Sequence, residues 1–505
     1  LQKSPNQGSA FVQFNISWEN SWREDVQASN WDAAWVFLKF RLEGGQWQHA
    51  KLSNLSGDHI APAGSVIDVP ADGLGVFIYR KWNGTGSVNF TGAKLMWDYQ
   101  SNGILPGDSV EVKVFAVEMV YVPRGNFWLG DGSSYASLRQ TGSNSPALVS
   151  DLLTNVKMDG SDPLTGDGIL QSGIIVTGDT GIVDGNGNKF FPVGYNGFYC
   201  MKYEISQKQY ADFLNLLNPV QAATRYPNSN GLNRNTISGS YPHFSASAPH
   251  LACNWLSWAD GAAYSDWAGL RPMTEMEFEK ASRGNNAPVS GEFAWGNSLV
   301  HDSPYTLTNE NLANENIINS GVSTGNALYW GTGGQIIQGP LRCGIFAASA
   351  VNKTRQETGA SFYGIMELSG NLWEQVITVA NSTGRNFSGL DGNGMLDGDG
   401  NADVVNWPLA DAVGAGLRGS SWANIDGLQA VSYRGGGLSN ANRDASYGFR
   451  CVKSYVSVLS VTTNFIQNIT SNSAQLGGWV FHDGNSSVSE RGICYNTRSE
   501  ERRVG

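Results

Sequence analysis

Residues 254–284 read NWLSWADGAAYSDWAGLRPMTEMEFEKASRG, a pattern of two helices joined by a tight bend. Ser257 precedes Asp260 by three positions, and Thr274 precedes Glu277 by three. In such pairs the hydroxyl takes up an amide that the first helical turn leaves unpaired, and the acid returns a bond to the cap. Trp258, Ala262 and Ala263 share one face of the first helix, and Met276 and Ala281 flank the apolar side of the second. Gly269 and Pro272 punctuate the bend.

Trp258, Asp260, Ala263, Tyr264, Trp267, Ala268, Gly269, Arg271, Thr274, Glu275, Glu277 and Glu279 also form a spaced set. This set resembles the signature of the formylglycine-generating-enzyme-like (sulfatase-modifying factor) family. Gly261, Pro272, Met273, Met276 and Phe278 depart from it. The resemblance implies a glycine-rich, irregular fold related to C-type lectins. It extends to Met119–Gly130, Phe198–Ser206, Phe293–Asn297, Tyr363–Glu374 and Leu417–Cys451, in family order.

The chain has 505 residues, which suggests two to four domains. Its 17 Trp, 18 Tyr and 21 Phe, against 15% charged residues, point to packed β structure rather than helical bundles or disorder. The expected class is α+β and multi-domain. Residues 1–117 read as an Ig-like β-sandwich, with strands at Phe11–Trp18, Ala34–Phe40, Val76–Tyr79 and Val110–Phe115. Residues 118–454 read as the formylglycine-enzyme-like, C-type-lectin-related domain, with few helices and many loops. Residues 130–190 are a Gly/Ser/Asp/Asn-rich insertion within it. Residues 455–505 resemble the opening strands of a fibronectin-III-like module that is expected to be truncated. The first and central modules together resemble secreted proteins of the Bacteroidetes type.

A formal charge of −11 and the lack of a basic run argue against nucleic acid as a partner. No apolar run is long enough to span a bilayer. The expected location is secreted or cell-surface, with a signal peptide already removed before Leu1. Cys200, Cys253, Cys343, Cys451 and Cys494 show no CxxC or Cys/His metal spacing, so buried free thiols and a disulfide framework both stay open. The six histidines likewise show no ligand spacing.

In the family's oxidases, two cysteines after the GGS[WY] motif bind copper(I) and convert a sulfatase cysteine to formylglycine. Here Asn424 and Gln429 stand at those positions. An amide supplies neither a thiolate nor redox chemistry. The resemblance therefore implies a pseudoenzyme without copper. It also matches Cys451 to a structural position whose usual partner is Ser265.

Calcium is the expected structural cofactor. The resemblance assigns it to the side chains of Glu367 and Glu374 and the carbonyls of Gly370 and Leu372, all oxygen donors that suit a hard cation. The alternative is a surface turn with two solvated acids. Asn314 and Glu315 match part of a second family site whose distal Asp is not found. Asp397, Asp399, Asn401 and Asp403 alternate like the start of an EF-hand loop, but Pro408 takes the twelfth position, and such runs also form plain turns.

The expected function is a non-catalytic structural or adhesion protein that self-associates into a filament or surface layer, or binds other cell-surface proteins. One alternative is a lectin-like protein taking a glycan or peptide in a pocket of Trp422, Asn424, Asp426, Arg434 and Arg443. Another is an enzyme of the family with altered chemistry.

Overall fold

The strand Asn30–Leu42 is apolar on both faces, because both faces are covered. Ala34, Val36, Leu38 and Phe40 point one way, into a core shared with Val12, Val88, Phe90 and Leu95. Those partners come from the strands Ala10–Glu24 and Gly84–Trp97. Trp31, Ala33, Trp35 and Phe37 point the other way, into a larger core with Tyr199, Tyr264, Trp267 and Phe449. Successive strand residues face opposite sides, so this one element serves two cores.

This computed structural model describes residues 2–3, 8–26, 28–133, 137–140, 143, 145–150, 169–170, 191–425, 427–435, 440–455, 460–463 and 478–482. The four strands expected near the N-terminus all form. Ala10–Glu24 and Gly84–Trp97 pair antiparallel, with register shifts between Phe14 and Ile16 and between Trp18 and Ser21. Bulges of this kind bend a strand. Beyond them, Arg23 and Glu24 pair with Trp31 and Asn30, so the first strand turns the corner between two layers.

Asn30–Leu42 pairs antiparallel with Val110–Val122 along its length. The far end of Val110–Val122 pairs in turn with Phe198–Met201. The sheet continues through Cys451–Ser454 to Arg271–Pro272. The boundary drawn at 117 thus falls inside a strand, and one sheet runs through both the N-terminal and the central module. Side chains reinforce the junction. Trp35 donates to the Ala268 carbonyl at 2.9 Å, Lys39 to the Gly394 carbonyl at 3.0 Å and Asn30 to the Tyr363 carbonyl at 2.8 Å.

Helices are few and short. Trp258–Trp267 and Glu275–Arg283 occupy the organising stretch, and Gln207–Leu214 lies upstream. Ser257/Asp260, Thr274/Glu277 and Ser206/Gln209 form the reciprocal caps that their spacing suggests. Trp258–Trp267 is buried on every side rather than on one face, as suits a helix inside a large core. No helix among the described residues is long and apolar enough to cross a membrane. A second sheet holds Trp373–Ile377 between Ala415–Arg418 and Tyr447–Gly448. Of residues 455–505, Ser460–Thr463 and Gly478–His482 pair antiparallel. Most of that segment, and of the insertion at 130–190, lies outside the described residues.

Gly261, one of the departures from the family pattern, has a packing reason. A Cβ there would stand 1.8 Å from Cδ2 of the buried Phe449. Helix propensity alone favours alanine by about 1 kcal/mol. Overpacking costs roughly 1–3 kcal/mol and should win, since Phe449 is fully buried. Gly261→Ala should therefore lower the urea midpoint of the full chain. A raised midpoint would show that Phe449 relaxes freely.

Candidate functional site

The loop that leads into Trp373–Ile377 is held in an unusual backbone path. Glu367, Gly370 and Asn371 have φ of 56°, 81° and 64°. Gly370 is required twice over, since a Cβ would also meet the Leu328 carbonyl at 2.6 Å. Asn371 spans the loop: its Oδ1 accepts from the Leu341 amide at 2.8 Å, and its Nδ2 donates to Glu204 at 2.5 Å. The Leu372 amide donates to the other Glu204 oxygen at 3.1 Å.

Three buried carboxylates meet around this loop: Glu204, Glu367 and Glu374. Arg450 donates to Glu374 at 2.8 Å and to the carbonyls of Met201 and Met366, both at 2.9 Å. Glu367 accepts from the Gly344 amide at 3.0 Å through Oε1. The Oε2 atoms of Glu367 and Glu374 are buried without a hydrogen-bond partner. Burial pushes Glu367 up to about 7, against the pull of Arg450. Burial also raises Glu204 well above the carboxylate range, with the charge of Glu374 adding to it.

With the Arg450 guanidinium bonded to Glu374, ionisation of all three acids would leave charge buried and unmatched. Such charge is met by proton uptake or by a cation. The two orphaned carboxylate oxygens are donors of the kind that a hard cation takes. Glu367 and Glu374 are both buried, so the surface-turn alternative with two solvated acids does not describe them. Among the described residues no three His, Cys, Asp or Glu side chains form a metal-ligand group, so two carbonyls would have to complete the set. Glu204 and Arg450 were read only as parts of fold motifs. Their signal was charge inside otherwise apolar blocks.

The other two calcium candidates do not assemble. Glu315 pairs with the Arg234 guanidinium and accepts from the amides of Asn311 and Arg342, while Asn314 is exposed. A guanidinium already balances that carboxylate. Asp397 accepts from the amides of Asp399 and Asn401, Asn401 accepts from Arg225, and Asp403 accepts from Asn393. Those oxygens serve turn and side-chain donors instead of converging on a centre.

Asn424 and Gln429 lie on one loop. Asn424 accepts from the Ser421 hydroxyl at 2.6 Å. Gln429 is buried, donates to the Ile425 carbonyl at 3.2 Å and leaves its Oε1 unpartnered. The four described cysteines are free, and Cys494 lies outside the described residues. Burial pushes the Cys451 thiol up to about 12 and raises Cys200, Cys253 and Cys343 as well. The Cys451 sulfur sits 3.1 Å from the Ser265 hydroxyl, a polar contact where the resemblance places a bridge.

The expected ligand pocket does not gather. Trp422 packs in a core and donates to the Ala445 carbonyl at 3.1 Å. Arg443 is clamped on Asp260, and Asp426 lies outside the described residues. Arg434 is fully buried and grips both oxygens of Glu275, at 2.8 and 3.0 Å. Arg418 bridges Glu275 and Glu279, and Arg283 joins Glu279 to Glu292. A larger cleft, about 1490 Å³, lies between the N-terminal strands and the central module, with Trp22, Glu118, Lys202, Tyr203 and Cys343 on its walls.

The family model for the sulfatase-modifying factor enzyme 1-like domain matches residues 170–455, more than half of the chain. A search of curated proteins finds no match.

Burial opposes ionisation of Glu275, but Arg434 and Arg418 outweigh it and hold the carboxyl at about 2, below its usual 4.5. A depressed folded value means stability present above pH 4.5 and lost as pH falls through about 2. Glu275→Gln leaves buried guanidinium charge unmatched and should cost about 3–5 kcal/mol at neutral pH. Urea midpoints of the two chains should converge as pH falls below 4.5. A gap independent of pH would contradict the assignment.

Proposed function

The chain belongs to the sulfatase-modifying factor enzyme 1-like family, and from that premise we propose that it is a non-catalytic, secreted or cell-surface scaffold braced by calcium. The observation that carries this reading is the pair Asn424 and Gln429 at the family's cysteine positions. Copper(I) needs soft thiolate ligands, and the described thiols, three buried and Cys343 half-buried, have raised pKa values, so they stay protonated at neutral pH. Calcium would be held by Glu367 and Glu374 with the carbonyls of Gly370 and Leu372. When bound, it supplies positive charge to a buried acidic cluster and pins the loop. The role of Arg450 and Asn371 is to fix the carboxylates and the loop around it.

Self-association has a specific support. Over its first residues the strand Gly84–Trp97 pairs with Ala10–Glu24 alone among the described residues, and Gly84–Ser87 are largely exposed, while Ile60 and Leu52 bridge its other edge at Lys94 and Trp97. A one-sided strand of this kind can pair with another chain. The lectin-like alternative draws on the cleft lined by Trp22 and Tyr203, where aromatic and charged groups occur together. A glycan and peptide array decides it: binding lost on Trp22→Ala supports that reading, and a blank array removes it.

Metal analysis combined with an oxidase assay tests the main proposal. Purified protein should contain calcium without stoichiometric copper or iron, and should form no aldehyde on a cysteine peptide taken from a sulfatase. Aldehyde formation, or copper at one equivalent, would overturn the scaffold reading. The brace predicts a thermal signature as well. Calcium at a hundred times its dissociation constant should add about 2.7 kcal/mol. Chelation should lower the melting temperature by several degrees, and Glu367→Gln should abolish that response. A melting curve indifferent to calcium would remove the ion from the reading.

A further inference from the structure

A second cavity, of about 350 Å³, opens where Pro123–Trp128 meets the helix Glu275–Arg283, Ala28–Ser29 and Phe362–Tyr363. Its size falls at the lower end of small-molecule sites, which begin at roughly 300 Å³. Neither the acidic loop nor Asn424 and Gln429 line it. Ala28 and Ser29 come from residues 1–117 and the rest of the lining from residues 118–454, so the cavity lies at the junction between the two modules.

Its charge is opposite to that of the chain. Arg124 and Lys280 line it, and no Asp or Glu does, in a protein of formal charge −11. Lys280 is 1% exposed and donates to the carbonyls of Tyr195 at 3.1 Å and Asn196 at 3.4 Å. Its ammonium also lies 5.7 Å from the Phe127 ring centroid. The Arg124 guanidinium stands 5.2 Å from the Tyr195 ring, and its Nη1 is buried without a hydrogen-bond partner. A charged donor removed from water without an acceptor is costly, and an oxyanion would supply one. Phe127, Trp128 and Phe362 add ring surface, and Ser29 and Asn285 add neutral polar groups.

We propose that this cavity binds a small aromatic oxyanion, with its charged end toward Arg124 and Lys280 and its ring against Phe127, Trp128 and Phe362. The site does not depend on the scaffold reading: it uses neither the calcium loop nor the lost cysteine positions.

Calorimetric titration of the full chain tests it, with benzoate, phenyl sulfate and the neutral isostere benzamide as probes. At least one anion should bind saturably, benzamide should bind about tenfold more weakly or worse, and added salt should weaken the anion. The preferred anion separates a carboxylate from a sulfate source. Arg124→Gln should weaken that anion about tenfold or more, whereas Lys353→Gln, at an exposed residue outside this cavity, should not. Failure of both anions to bind, equal affinity for benzamide, or full affinity in Arg124→Gln each overturns the proposal. If Arg124→Gln unfolds, the ratio of anion to benzamide affinity on the unaltered chain decides alone.

Discussion

The structure depends on a strand that cannot be exposed on either face. Asn30–Leu42 carries Ala34, Val36, Leu38 and Phe40 on one side and Trp31, Ala33, Trp35 and Phe37 on the other, and all eight are buried. Leaving either set in water would forfeit roughly 1.5–3 kcal/mol for each large side chain. The N-terminal layer therefore closes one face and the family domain closes the other. Val110–Val122 extends the arrangement by pairing with Asn30–Leu42 on one edge and Phe198–Met201 on the other. A module that might have been joined by a linker is instead built into the same sheet. The cationic cavity and the larger cleft both sit along that seam.

Charge burial is the second constraint. The helix Glu275–Arg283 carries Glu275 and Glu279 into the interior, where Arg418, Arg434 and Arg283 meet them. Every one of these groups is nearly inaccessible to solvent. Removing one partner is then far more costly than the net value of the pair, because the other charge stays buried. Around Glu204, Glu367 and Glu374 the same logic lacks its matching partner. Arg450 answers Glu374, and two carboxylate oxygens are left without a bond. The contrast between a balanced network and an unbalanced one singles out the second as the candidate centre.

This chain keeps folding features of the family pattern and has amides at the two positions that the resemblance assigns to cysteines. The caps, the Gly370 turn and the Glu275 network all concern folding, and all are present. Asn424 and Gln429 offer amides, which are harder donors than the thiolates a soft metal takes. The Ser265–Cys451 contact repeats the theme on a smaller scale: the position keeps a polar contact without the bond that a second sulfur would allow.

The sequence alone determined whatever depends on near neighbours along the chain. Reciprocal caps need a hydroxyl and an acid or amide three residues apart, so Ser257/Asp260 and Thr274/Glu277 were legible at once. The same holds for the N-terminal strands and the two amides at 424 and 429. Tertiary structure decided what depends on residues distant in sequence. Arg434 read as a pocket residue, yet it is the counter-ion of Glu275, 159 positions away. Glu315 read as a calcium ligand, yet Arg234 reaches it first. The boundary at 117 followed the start of the family resemblance at Met119, but strand pairing does not stop there, and only the paired strands show that the two modules share one sheet. Local bonds are written in spacing, whereas charge partners and shared faces exist only after the chain has closed on itself.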